Sequence, residues 1–170
     1  MSQSPRAVGA WPSACPVLPG EAVGLWRDDT LASAVAAAWL AHGGMAWQDL
    51  ASPAAGDGVT AATPLRGPGC WGPIVAEAAA RQLRWLVVPA VREEVGALPW
   101  QALVATCRHV GLGVWAPFRM TPLLEAARLG AWLGVSPDAG HGCETTPPCG
   151  ACVGCRRLAR VRATLGGDPR

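Results

Sequence analysis

The chain has 170 residues, of which 51% are hydrophobic and 15% charged, with a formal net charge of +2. That length suffices for one domain with a real core, and the composition is globular rather than disordered. The near-neutral balance gives no strong signal for nucleic acid or an anionic membrane, and no apolar run reaches the ~18 residues that a bilayer span requires.

Residues 1–20 hold four prolines, three serines and two glycines and read as a flexible arm. They lack the basic start and continuous apolar core of a signal peptide, which points to the cytoplasm. Seven cysteines is an odd number, so a complete disulfide framework does not fit and a reducing compartment does. Residues 21–26 form an apolar segment that reads as a short strand. The helix predicted over 30–42 takes an N-cap oxygen from Asp29 or Thr30 and stops at Gly43 and Gly44. Residues 52–69, rich in glycine, proline, alanine and threonine, read as a long loop. A helix follows over 74–83, then a brief buried strand over 86–88 bounded by Pro89. The stretch 100–109 is helical and stops at Gly111; 114–116 is a strand ended by Pro117. Residues 122–133 form a helix with proline at its first turn. The stretch 149–165 starts as a cysteine-rich turn and runs into a basic helix. Short apolar strands alternating with helices favour one α/β domain over 21–170 with a parallel sheet.

Four cysteines are spaced Cys143-x5-Cys149-x2-Cys152-x2-Cys155. Two Cys-x2-Cys units share Cys152, and such a turn folds both sulfurs toward one point. Four thiolates at about 2.3 Å complete a tetrahedral zinc site with no open position, hence a structural one. Arg156, Arg157, Arg160 and Arg162 follow and would offset its negative charge. The same Cys-x2-Cys-x2-Cys spacing occurs in iron–sulfur proteins, disulfides are a further alternative, and His141 could replace Cys143 as a ligand. The four arginines could instead touch RNA, although such a helix more often is simply solvated.

The run Thr121-Pro122-Leu123-Leu124-Glu125-Ala126-Ala127-Arg128-Leu129-Gly130-Ala131-Trp132-Leu133-Gly134-Val135, followed by Pro148-Cys149-Gly150-Ala151-Cys152-Val153-Gly154-Cys155-Arg156, resembles the C-terminal part of the 7-cyano-7-deazaguanine synthases of queuosine biosynthesis. Residues 21–120 are collinear with the same family. The resemblance implies a Rossmann-like parallel sheet of the N-type ATP pyrophosphatase kind with a structural zinc knot. It also implies an ATP-dependent ligase that converts 7-carboxy-7-deazaguanine and ammonia to the nitrile.

The chain departs from that family at three pocket elements. The family's Ser-Gly-Gly-x-Asp-Ser phosphate loop is replaced by Leu25-Trp26-Arg27-Asp28-Asp29-Thr30. Its glycines, which let backbone N–H groups approach phosphate, give way to Trp26 and Arg27, and the tryptophan is expected to fill the phosphate space. Arg27, Asp29 and Thr30 are what remains of an ATP and magnesium site. A Pro-Gly-Arg-Asn stretch becomes Pro68-Gly69-Cys70-Trp71, and Tyr-Pro-Asp-Cys-Arg becomes Leu98-Pro99-Trp100-Gln101-Ala102. The alternative to an active ligase is therefore a non-catalytic, zinc-stabilised scaffold. It would serve a homologous or pathway partner, with an oligomer possible.

Other chemistry-bearing residues have plainer readings. Cys70 lacks a neighbouring base, Cys107 reads as core, and His42 suits a helix C-terminus. Glu93 and Glu94 follow a strand end, where α/β folds place ligands; they could hold magnesium but read more simply as a solvated acidic pair.

Overall fold

The computed structural model describes residues 15–28, 30–51, 68–95, 99–140 and 149–166. Asp29, His141, Cys143 and Leu98 lie outside them. The elements run β1 (Val23–Arg27), α1 (Leu31–His42), β2 (Gln48–Ala51), α2 (Pro68–Ala80), β3 (Trp85–Val87), α3 (Arg92–Val95), α4 (Trp100–His109), β4 (Gly113–Trp115), α5 (Leu123–Trp132) and α6 (Val153–Gly166). The four strands form one parallel sheet in the order β2-β1-β3-β4. The parallel α/β class expected from the sequence is thus the class observed.

Alternation along each strand sorts side chains to two faces. Val23, Leu25, Val87 and Trp115 join one cluster with residues of α1, α5 and α6. Trp26, Leu86, Val88 and Ala116 join the other, with residues of α2 and α4. This sorting places the tryptophans. Trp26, Trp71 and Trp115 are buried, whereas Trp132 is 40% exposed. Trp39 bridges from α1 to Trp115 and Phe118 at ring distances of 5.1 and 6.3 Å. His42, the last residue of α1, sets its ring edge-on to Trp132 at 4.8 Å.

Helix ends follow their local signals. Thr30 caps α1, its Oγ1 accepting from the Ser33 N–H. After α1, α4 and α5, Gly44, Gly111 and Gly134 take positive φ, and the next N–H returns to the helix: Met45 to Leu40, Leu112 to Cys107, Val135 to Gly130. After α2 the same position holds Gln82 at φ 55°, the one non-glycine with positive φ among the described residues. Its substitution by glycine removes the strain of a left-handed side chain, so Gln82→Gly should raise stability by about 0.5–1 kcal/mol in urea unfolding.

Several features differ from expectation, among them the short helix α3, which the sequence does not predict. The sequence predicts no strand at β2: Gln48 and Asp49 are polar and exposed on an edge strand, and among its described side chains Leu50 is the buried one. Helix α2 begins at Pro68, six residues earlier than the predicted 74, and carries Pro73 within it. Pro68 suits the helix start because the first N–H groups have no intrahelical acceptor, whereas Pro73, the sixth residue, removes one i→i−4 bond, to the carbonyl of Gly69. Residues 15–20, read as part of the arm, reach the domain through Val17, which packs against the α1-side core.

Candidate functional site

The carboxyl ends of the strands are where parallel α/β sheets bind ligands, at the point where strand order reverses. Here that point lies between β1 and β3, flanked by the loops after Arg27 and after Val87. Its polar groups are engaged with one another. The Asp28 Oδ1 accepts from the Thr30 N–H at 3.1 Å and from the Thr30 hydroxyl at 2.5 Å. The Asp28 N–H donates to the Ser33 Oγ, on a residue that is fully buried. The Arg27 Nη1 donates to the Ser33 carbonyl at 3.2 Å, and its Nε lies 3.6 Å from the Asp49 carboxylate. Carboxylate charge therefore already sits at the N-terminus of α1, where the helix dipole would attract phosphate.

Trp26 is 1% exposed and turned into the core beneath α2. It fills the sheet's packing layer, not the loop space anticipated for it. Its Nε1 and that of Trp71 are buried without a hydrogen-bond partner among the described residues. The Pro68–Trp71 stretch forms the start of α2, with Trp71 in the core. Pro99 is the N-cap residue of α4, and Trp100 is half-buried against the same cluster.

Glu93 and Glu94 are caps. The Glu93 carboxylate accepts from the Leu123 N–H at 3.1 Å, closing the start of α5, where Pro122 offers no side-chain oxygen. The Glu94 Oε2 accepts from the Val91 N–H at 3.1 Å. Burial pushes the Glu94 carboxyl up from 4.5 to about 7; the Val91 N–H and Arg157 oppose this, while Asp28 and Glu93 add to it. A carboxyl raised in the folded state favours folding fully below about pH 4.5, and that advantage is lost as pH rises through about 7. Glu94→Gln should therefore stabilise the protein by about 2 kcal/mol at pH 8.5 and leave it nearly unchanged at pH 4, read as the difference from the parent in urea unfolding. Cys107, in α4, is buried, and burial pushes its thiol up to about 11; it is core, as expected. Cys70 falls within α2.

The second cluster is the cysteine turn. The ligand atoms of Cys149, Cys152 and Cys155 lie within 4.8 Å of one another, a set that could hold a metal ion. Gly150 at φ 72° makes the turn between the first two. The Cys152 N–H donates to the Cys149 Sγ and the Cys155 N–H to the Cys152 Sγ, both at 3.4 Å. Backbone N–H groups aimed at sulfur, at the N-terminus of α6, suit an anionic ligand set. Arg156 donates to the Ala151 carbonyl and closes the turn. Arg162 pairs with Asp138 at 2.8 Å and donates to the carbonyls of Pro137 and Gly140. Arg157 contributes to the field at Glu94, so the cysteine turn and the switch point share one end of the sheet.

Fold and site define a parallel α/β protein with a three-cysteine cluster competent for metal. Comparison with known proteins finds no matching family model, no matching curated protein and no matching solved structure. Among the described residues no helix is long and apolar enough to cross a membrane.

Proposed function

We propose that this chain is a zinc-held α/β scaffold, derived from the 7-cyano-7-deazaguanine synthase family and no longer performing its ATP chemistry. The observation that carries this reading is the Asp28 carboxylate bonded to Thr30 at the start of α1. A phosphate there would face the Asp28 carboxylate, at the variable position of the family's loop, and would find Trp26 and Arg27 where the family carries its two glycines. Zinc suits the cluster because four thiolates satisfy its tetrahedral preference, whereas magnesium prefers oxygen ligands. Cys143 supplies the fourth ligand in this reading. Gly140, held by Arg162, lies three residues before it, a reach of about 10 Å. Arg162 lies seven residues after Cys155, about two helical turns. The all-parallel sheet, with its switch between β1 and β3, supports kinship with the N-type ATP pyrophosphatases.

A closed metal site stabilises structure and leaves no position for a metal-bound water, so the metal is not the seat of a reaction. The activity such a chain retains is binding, for a homologous or pathway protein. The test is incubation of metal-loaded protein with ATP, magnesium, 7-carboxy-7-deazaguanine and ammonia. No AMP or pyrophosphate above the protein-free control is expected, whereas stoichiometric or catalytic release restores the ligase reading.

A further inference from the structure

A cavity of about 740 Å³ opens at the amino end of the sheet, opposite the cysteine turn and the switch point. It lies between the segment 15–23, the end of α1 and the entry to β2. Its volume falls within the range of small-molecule sites. Trp39, Trp47, Met45 and Leu18 give it an apolar lining, and Leu18 is 66% exposed. Glu21 is the one charged side chain among the described lining residues.

The Glu21 carboxylate is fixed in place. It accepts from the Leu18 N–H at 2.8 Å and from the Trp85 Nε1 at 2.7 Å. These two bonds, in that order, hold it below the usual glutamate range, with Arg84 adding to the effect, so it carries its charge at neutral pH. Trp39 is fixed by its contacts with Trp115 and Phe118, and Trp47 by the bond from its Nε1 to Asp49 at 3.0 Å. Tryptophan rings beside an ionised carboxylate form the chemistry that selects organic cations over anions. The Cys15 Sγ, 3.7 Å from the Met45 Sδ, places a thiol on the wall of the cavity.

We propose that this cavity binds a small organic cation with an apolar body, such as an aryl-alkyl amine, its nitrogen against Glu21 and its hydrocarbon against Trp39, Trp47 and Met45. The inference depends on neither the metal nor the state of the phosphate loop, so it survives the failure of either.

The test uses the metal-loaded full chain and three probes of one shape: 4-phenylbutylamine, 4-phenylbutanol and 4-phenylbutyrate. The amine should bind below about 1 mM by calorimetry and about tenfold more tightly than either isostere. Occupancy should slow alkylation of Cys15 by iodoacetamide at least about fivefold, read on the Cys15 peptide by mass spectrometry, as expected when a bound molecule restricts access to a thiol. Glu21→Gln, which keeps an acceptor for Leu18 and Trp85, should bring the amine to the level of the alcohol. Met45→Trp, which fills the cavity, should abolish binding of all three. Equal binding of amine and butyrate, binding that leaves Cys15 unprotected, or no binding of the amine to the parent chain would each overturn the proposal. Cys15 protection in the parent chain decides the matter even where a variant fails to fold.

Discussion

Cys152→Ser should lower the thermal midpoint by about 10 °C and abolish metal retention, because Cys152 belongs to both Cys-x2-Cys units. The size of the effect follows from how little else holds α6. That helix has 14 residues, of which Leu158 and Val161 are buried. Burying two such side chains contributes about 1.5–3 kcal/mol each, while ordering the backbone costs about 1–2 kcal/mol per residue before helical hydrogen bonds are counted. The bonds from Arg162 to Asp138, Pro137 and Gly140 are half-exposed and add little. A metal pinning the first turn of α6 is the remaining large term. Without it, α6 should detach and expose the core face that Leu158 and Val161 cover. In a protein of this size a loss of 3–4 kcal/mol lowers the midpoint by about 10 °C. A strong chelator should reproduce the shift in the parent chain. Cys15→Ser should leave midpoint and metal content unchanged, since Cys15 lies at the opposite end of the sheet. Calorimetry with elemental analysis of the retained metal reads all three.

Trp26→Gly should cost at least about 4 kcal/mol, measured by urea unfolding, and should not create an ATP site. Reading the sequence against the synthases suggests the opposite, since glycine is what the family's loop carries there. The structure puts Trp26 at 1% exposure in the layer between sheet and α2, beside Leu50, Trp71 and Ile74. Glycine at that position opens a cavity the size of an indole in the core and frees no backbone N–H at α1. Arg27→Gly should cost only about 1 kcal/mol, because Arg27 is half-exposed and its pair with Asp49 is at the surface. A Trp26→Gly protein as stable as its parent would show that the indole is not core. Gly130 marks the converse constraint on the other face. A Cβ there would approach the Val35 Cγ2 to 2.6 Å, so Gly130→Ala should destabilise by about 1–3 kcal/mol through the packing of α5 on α1, again by urea unfolding.

These residues show what the sequence could and could not convey. Strands β1 and β3 lie inside the sheet, buried on both faces, and read as apolar runs. Strand β2 lies at an edge and, among its described side chains, buries Leu50 alone after the polar Gln48 and Asp49, so little in its composition separates it from a loop. Gly44, Gly111 and Gly134 announce helix ends, whereas Gln82 does the same work without a signal. The cysteine cluster is legible because it is local: Cys149 to Cys155 spans seven consecutive residues, and the turn geometry follows from the spacing. The caps at the switch point are not local. Glu93 closes α5 from 30 residues away, and no pattern in the chain connects them. Asp28, two residues before the threonine cap, was the overlooked member of the phosphate-loop stretch. An aspartate at that offset from an N-cap is a recognisable side-chain-to-backbone turn, and it is the signal that could have found it. Of the residues expected at that loop, Arg27 and Thr30 are brought together around Ser33 as a latch on α1, while Asp29 lies outside the described residues, as Cys143 does for the metal set.

The most direct test of the central claim is a calorimetric titration of Mg-ATP into the zinc-loaded protein. With the start of α1 already carrying the Asp28 carboxylate, no heat of binding is expected up to millimolar ATP. Micromolar affinity would contradict the account: it would mean that Asp28 yields to phosphate, that Arg27 serves as its counter-charge, and that the carboxyl end of the sheet remains a nucleotide site.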